Sequence, residues 1–261
     1  MKIGPKRKNK SPLKDKPLRN PRQSLDEELQ RLMEEDGYTW VATICFCLIF
    51  LANEWWRYFS ASPPNPLEVT IVTLPMVGFS IFKLYRLKRR LQRLRLARDG
   101  EKAVGQYLTD LRENGYRIFH DIVGDDFNVD HVIISEQGIF TIETKTYSKP
   151  ISGKAVVTFD GEAIQVNGYT PDRVPVEQAQ AQAAWVQGVL RESTGRGFSV
   201  RPVVVFPRWF VEMKKTALNS KLWVLNPKAL PGSLEHEPVC ISAEEVKLAA
   251  YHLSRYIRSS Q

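Results

Sequence analysis

Three side chains in this 261-residue chain have types and spacing suited to metal-assisted chemistry: Asp130, Glu143 and Lys145. They fall in two apolar segments, 129–134 and 139–146, on either side of Ser135-Glu136-Gln137-Gly138, a β-hairpin pattern. If Ile134 faces Ile139, opposite positions sum to 273 and Asp130 lies across from Glu143. Strand alternation then puts Asp130, Val132, Ile134, Ile139, Thr141, Glu143 and Lys145 on one face. Two carboxylates directly opposite, with Cβ atoms about 5 Å apart, repel each other. A divalent cation between them reverses the sign, because Mg²⁺ prefers oxygen ligands and is commonly held by one or two carboxylates. A bulge at Gly138 would shift the register by one residue. The plainer reading makes Asp130 a strand-edge charge and Glu143–Lys145 a solvated ion pair, the usual state of an isolated E-x-K. Favouring a site are the apolar strands around both acids and a further acid, Glu101, at the opening of the preceding helix.

The elements that must position these residues are legible from periodicity. Gly100-Glu101 opens a helix to about 114, with Ala103, Val104, Tyr107, Leu108 and Leu111 on one face. Gly115 ends it. Residues 116–119 read as a short strand, and Asp125 and Asp126 as a polar turn. A helix over 176–190 offers Ala179, Ala183, Val186 and Leu190 for packing on a sheet. The bounded apolar runs 203–206 and 222–225 read as buried strands. Ser242 and Glu245 have capping-box spacing and start a last helix to about 257.

The first hundred residues differ in kind. They hold 19 Lys+Arg against 10 Asp+Glu, whereas 101–261 hold 18 against 19, so the chain's formal +8 is entirely N-terminal. Residues 1–22 read as a disordered basic tail. A short amphipathic helix follows from Ser24-Leu25-Asp26-Glu27, ending near Gly37, so that 1–37 form one leading segment. Two apolar runs, 40–52 and 69–82, lengthen to about 20 residues each when flanking aromatics are counted, near the span of a bilayer core. Trp40, Trp55, Trp56, Tyr58 and Tyr85 sit where interfacial aromatic belts belong. Basic residues crowd before the first run and after the second, while 53–68 carry only Arg57. The expectation is a transmembrane hairpin over 38–86 with both termini cytoplasmic, in a bacterial inner membrane, making the lipid bilayer a partner. A pair of buried helices in a soluble bundle is the alternative. Residues 87–99 read as a basic juxtamembrane helix against anionic headgroups. Its Leu84, Leu87, Leu91 and Leu94 stripe also fits a homodimer seam. Three cysteines, Cys45, Cys47 and Cys240, without a CxxC pair exclude a disulfide scaffold and a zinc module.

Gly100-Glu101, Val129-Asp130-His131, Gly138-Ile139-Phe140, Ile142-Glu143-Thr144-Lys145 and Gln178 together resemble the NERD (nuclease-related) domain, a relative of the PD-(D/E)xK nucleases, over about residues 98–215. The resemblance implies an α/β fold with a restriction-endonuclease-like core over 100–261: a central mixed sheet flanked by helices, in αβββαβ order. It implies Asp130 and Glu143 as metal ligands, Lys145 as the catalytic lysine, Glu101 as the helix acid completing the site, and Gln178 as its supporting glutamine. Where the family often has Asn-Pro before that glutamine, this chain has Val174-Pro175. With the Thr144 carbonyl and water, the two acids would hold Mg²⁺ or Mn²⁺.

The expected activity is metal-dependent phosphodiester hydrolysis at a membrane, with DNA preferred to RNA as substrate. The alternative is a non-catalytic module of the same fold that binds nucleic acid or protein there. Arg208, Lys214, Lys215 and Lys221, with Trp209 and Phe210 interleaved and only Glu212 opposing, form the candidate phosphate-contacting patch. A solvated loop is the plainer reading of that stretch. His131 is read as structural, and His120, His236 and His252 show no ligand spacing.

Overall fold

The computed structural model describes residues 18, 20, 23–60, 66–124, 127–150, 153–171 and 175–259. Most of the basic tail, the Asp125-Asp126 turn and Val174 lie outside the described residues. The chain divides into two compact units, one over Arg22–Ala103 with Thr146–Lys149, the other over the remainder.

The first unit is helical. α1 (Gln23–Leu32) runs through a π-helical turn, Met33–Gly37, directly into α2 (Tyr38–Phe59). The expected stop at Gly37 is therefore absent. Gly37 keeps right-handed angles (φ −65°, ψ −52°), and the π turn takes up the change of winding. α3 (Pro66–Glu113) is a single helix of 48 residues. The separate helix expected to open at Gly100 is instead its continuation. Pro75 inside it forfeits one backbone hydrogen bond, and that break is not enough to divide it.

This unit distributes its residues inside out. Cys47, Glu54, Thr73 and Ser80 are buried, whereas Phe46, Ile49, Trp56, Leu67, Ile71 and Leu74 are exposed. Thr73 and Ser80 satisfy their hydroxyls on the carbonyls of Val69 and Met76 within their own helix (both 2.8 Å). Glu54 accepts from Arg57 at 2.8 Å. Across the hairpin, Trp40 meets Phe79 edge-on at 5.5 Å and Lys83 lies over both rings. Both α1–α2 and α3 contain stretches long and apolar enough to cross a membrane.

The second unit is a mixed α/β fold. β1 (Arg117–Val123), β2 (Asn128–Ser135) and β3 (Gly138–Thr144) form an antiparallel meander. β4 (Val156–Phe159) and β5 (Ile164–Val166) follow, then the crossover helix α4 (Pro175–Thr194). β6 (Val200–Val205), β7 (Phe210–Met213), β8 (Trp223–Leu225), α5 (Leu230–Glu235) and α6 (Ala243–Ser259) complete it. The main sheet has order β1-β2-β3-β6-β8, with β3/β6 and β6/β8 parallel. Neighbouring residues of each strand serve opposite faces. Val132, Ile134 and Ile139 pack under α4 and α6, while Ile133, Phe140 and Ile142 pack under α5 and the last turns of α3 at Val104, Leu108 and Leu111. Ala179 and Ala183, both buried, let α4 approach the sheet closely. The Ser242–Glu245 capping box forms reciprocally at the start of α6.

A second sheet, β5-β4-β7, was not foreseen. β7 takes residues 210–213 out of the loop that the basic patch was expected to form. Trp209 is buried there and cannot interleave at the surface, whereas Phe210 is exposed.

Candidate active site

The hairpin register is the expected one: Ile134 faces Ile139 and His131 faces Ile142. Gly138 turns the chain at φ +131°, where a Cβ would meet the Cys240 sulfur at 3.3 Å, without shifting the ladder. The paired ladder ends at His131↔Ile142, one step before Asp130 and Glu143. Asp121 is left-handed (φ 49°), and the β1–β2 ladder passes from His120↔His131 to Ile122↔Val129 over Asp121 and Asp130. Released from the ladder, Asp130 accepts the Thr144 backbone N–H through Oδ2 at 2.7 Å.

Glu143 is buried and engaged on both carboxylate oxygens. Lys145 Nζ donates to Oε1 at 2.6 Å and also to Gln178 Oε1 at 2.6 Å. Gln182 Nε2 donates to Glu143 Oε2 at 2.6 Å and to the Asn128 carbonyl at 2.9 Å. Lys145 is fixed in turn by its N–H on the Val205 carbonyl (2.9 Å), which carries β3 alongside β6 beyond its last ladder residue. Two glutamines one helical turn apart on α4 thus serve the two charges. One presents its oxygen to the ammonium and the other its nitrogen to the carboxylate.

The structure brings together Asp130, Glu143, Thr144, Lys145 and Gln178. Glu101 stands on α3, in the helical unit. Gln182 was missed as a site residue. Its only sequence signal is the i, i+4 spacing from Gln178, which a helix surface shows as readily.

The donors available suit a hard cation. Asp130 and Glu143 are carboxylates, and Thr144 Oγ1 and Thr141 Oγ1 are buried oxygens without hydrogen-bond partners. Among the described residues no three or more His, Cys, Asp or Glu are grouped to hold a metal, so a cation there would rest on two acids, other oxygens and water.

Beside Asp130, His131 is fully buried and its Nδ1 lies 2.9 Å from His120 Nδ1. Arg112 approaches His120 Nε2 at 3.3 Å and can only donate. His120 is then protonated at Nδ1 and donates to His131 Nδ1, which puts the His131 proton on Nε2, a buried atom without a partner. Burial, then the Arg112 charge, holds His120 down to about 4, with Asp121 opposing. Burial, then His120, holds His131 well below the ordinary imidazole range.

Arg208, Lys214, Lys215 and Lys221 are all exposed. Arg208 occupies a left-handed turn after β6 (φ 68°), and Lys214 and Lys215 follow β7. Lys214 helps hold Asp160 below the usual carboxylate range, behind the larger effect of the Ala163 and Glu162 backbone N–H groups. Arg196 and Arg201 are committed to Glu245 and Glu237.

Residues 96–207 match the family model described as NERD, the nuclease-related domain. An uncharacterized protein of Bacillus anthracis is 30% identical over 92 residues, 33% of this chain and 43% of that protein. The match thus spans less than half of the relative's own length. No solved structure matches the chain.

Proposed function

We propose that the chain is a membrane-anchored nuclease with a restriction-endonuclease-like core, cleaving phosphodiester bonds of DNA in preference to RNA with Mg²⁺ or Mn²⁺. The observation carrying this reading is the Glu143–Lys145 pair, held by Gln178 and Gln182 and standing beside Asp130. Asp130, Glu143 and Thr144 would hold the cation, which when bound polarises a phosphate oxygen and acidifies a water. Lys145 orients that water or offsets charge on the transition state. Gln178 keeps the ammonium in place, and Gln182 keeps the Glu143 carboxylate plane fixed. Arg208, Lys214, Lys215 and Lys221 supply phosphate contacts. Glu101 completes the site in this reading by resemblance alone.

The anchoring rests on the inside-out hairpin. Buried small or polar residues with an apolar exterior are the pattern of helices packed in lipid. The basic flanks put both termini and the nuclease unit in the cytoplasm, and the composition fits a bacterial inner membrane.

The test uses the full chain in detergent with labelled single- and double-stranded DNA and RNA, in Mg²⁺, Mn²⁺ or EDTA, beside Glu143→Ala and Lys145→Ala. Cleavage that needs metal and disappears in both variants supports the enzyme. Absence of both cleavage and Glu143-dependent metal binding supports instead the non-catalytic module, which the near-neutral charge of residues 101–261 favours.

A further inference from the structure

We infer that the helical unit carries a binding groove for one anionic phospholipid, an inference that rests on the membrane anchoring proposed above. The groove has a volume of about 430 Å³ and lies between the α1–α2 junction and α3. Val41, Leu84, Leu87 and Leu91 give it an apolar wall, and Lys88 and Arg95 stand along it. Gly37, at the end of the π turn, forms part of its floor. A Cβ there would lie only 3.8 Å from the Leu87 side chain, so the backbone itself comes close to α3 at that point. A π turn of this kind is a frequent device at binding sites.

Charge identifies the occupant. Arg90 and Arg98, on the same stretch of α3, are paired with Glu28 (2.9 Å) and Asp26 (3.5 Å) of α1. Among the described residues no ion pair engages Lys88 or Arg95. The two cations that line the groove are thus left without an acidic partner among the described residues, as are Arg86, Arg89 and Arg93 outside it, whereas those that reach α1 are neutralised. Lys88 lies five residues beyond Lys83, which packs on Trp40 and Phe79 where the aromatic belt marks the edge of the bilayer core. Lys88 and Arg95 are seven residues, about 10 Å of helix rise, apart. Their long side chains can converge on one headgroup there. An acyl chain along the leucines and a phosphate between the two cations satisfies both parts. A second copy of this chain fits worse, because two-fold pairing would bring the same cations against each other.

The test is native mass spectrometry of the full chain released from detergent, offered equal phosphatidylglycerol and phosphatidylcholine. The expected result is one phosphatidylglycerol retained per chain. Lys88→Gln with Arg95→Gln lowers that preference about twenty-five-fold, two contacts of about fivefold each. Arg90→Gln with Arg98→Gln removes the same charge from already paired positions and leaves it unchanged. Val41→Trp, which fills the groove, displaces the lipid. Equal losses in the two charge variants, lipid retained without charge preference, or a lipid-free dimer that Val41→Trp dissociates would each overturn the groove. Alkaline carbonate extraction of membranes separates the two readings. Retention in the pellet without phosphatidylglycerol preference removes the groove alone, whereas release of the chain removes the anchor with it.

Discussion

Gln182 Nε2 lies 2.6 Å from Glu143 Oε2, and the same nitrogen holds the Asn128 carbonyl at 2.9 Å. Both partners are acceptors, so the amide orientation is fixed and Oε1 points away, buried and unpartnered. A buried acceptor left in this state costs about 1–3 kcal/mol. The chain thus carries a local penalty at Gln182 whose counterpart is a fully specified Glu143 carboxylate.

Gln182→Met keeps the volume and removes both ends of the amide. Loss of the donors is unfavourable and loss of the orphaned oxygen is favourable, so the melting temperature should change little. Mn²⁺ affinity should nevertheless fall 10–100-fold, roughly the range for groups that orient metal ligands. Calorimetric titration of Mn²⁺ into the full chain checks this. Unchanged affinity with a large drop in melting temperature would make Gln182 a packing residue only.

Lys145→Met separates catalysis from metal binding. The ammonium holds Glu143 Oε1 at 2.6 Å, with both side chains largely shielded from solvent. Removing it leaves a buried carboxylate uncompensated, a loss of about 3–5 kcal/mol when one partner of a buried pair goes. A divalent cation can restore that charge balance. The variant should therefore melt lower without metal, recover much of the difference in Mn²⁺, and cleave about 10²–10³-fold more slowly. Glu143→Gln should also melt lower, because it strands the Lys145 ammonium, but with little response to metal. The melting curves with and without Mn²⁺ decide the matter even if cleavage is slow.

Much of this was legible in the chain itself. The hairpin register followed from Ile134, Ile139 and the turn between them, because alternation and a short turn leave few options. The packing face of α4 followed from Ala179, Ala183, Val186 and Leu190 in the same way. What stayed hidden depended on chain-distant events. The left-handed Asp121, where the β1–β2 ladder passes over Asp130, is a feature no period reveals. β7 exists because residues 210–213 find β4 some fifty positions earlier. The continuity of α3 through Gly100 reflects tertiary support that overrides a weak local helix former.

Acid should unfold the α/β unit through its histidine pair. Both imidazoles are held below their ordinary value, His120 to about 4 and His131 well below it, chiefly by burial. The unfolded state, titrating near 6.5, binds protons first, so stability rises with pH across this window. It is complete above about 6.5 and lost progressively as pH falls toward 4. Thermal melts at pH 7.5, 6.5, 5.5 and 4.5 should show that decline, and His120→Gln should flatten it. An identical slope in the variant would move the effect to other groups.

Cys240 can test the proposed membrane placement of the α/β unit. Its thiol is exposed on that unit, whereas Cys45 and Cys47 lie in α2 within the apolar stretch. Gln137 accepts from its Sγ–H at 3.2 Å, a weak contact that leaves the sulfur open to reagents. If both termini are cytoplasmic, as proposed, a membrane-impermeant maleimide should leave intact cells' protein unlabelled. After lysis it should add one label, lost in Cys240→Ser. Labelling of Cys240 in intact cells would invert the topology and place the carboxylate site outside, away from cytoplasmic nucleic acid. Labelling of Cys45 before denaturation, with the chain released by carbonate, would show that α2 is in water and that the exposed Phe46 and Ile49 face solvent or another protein instead of lipid.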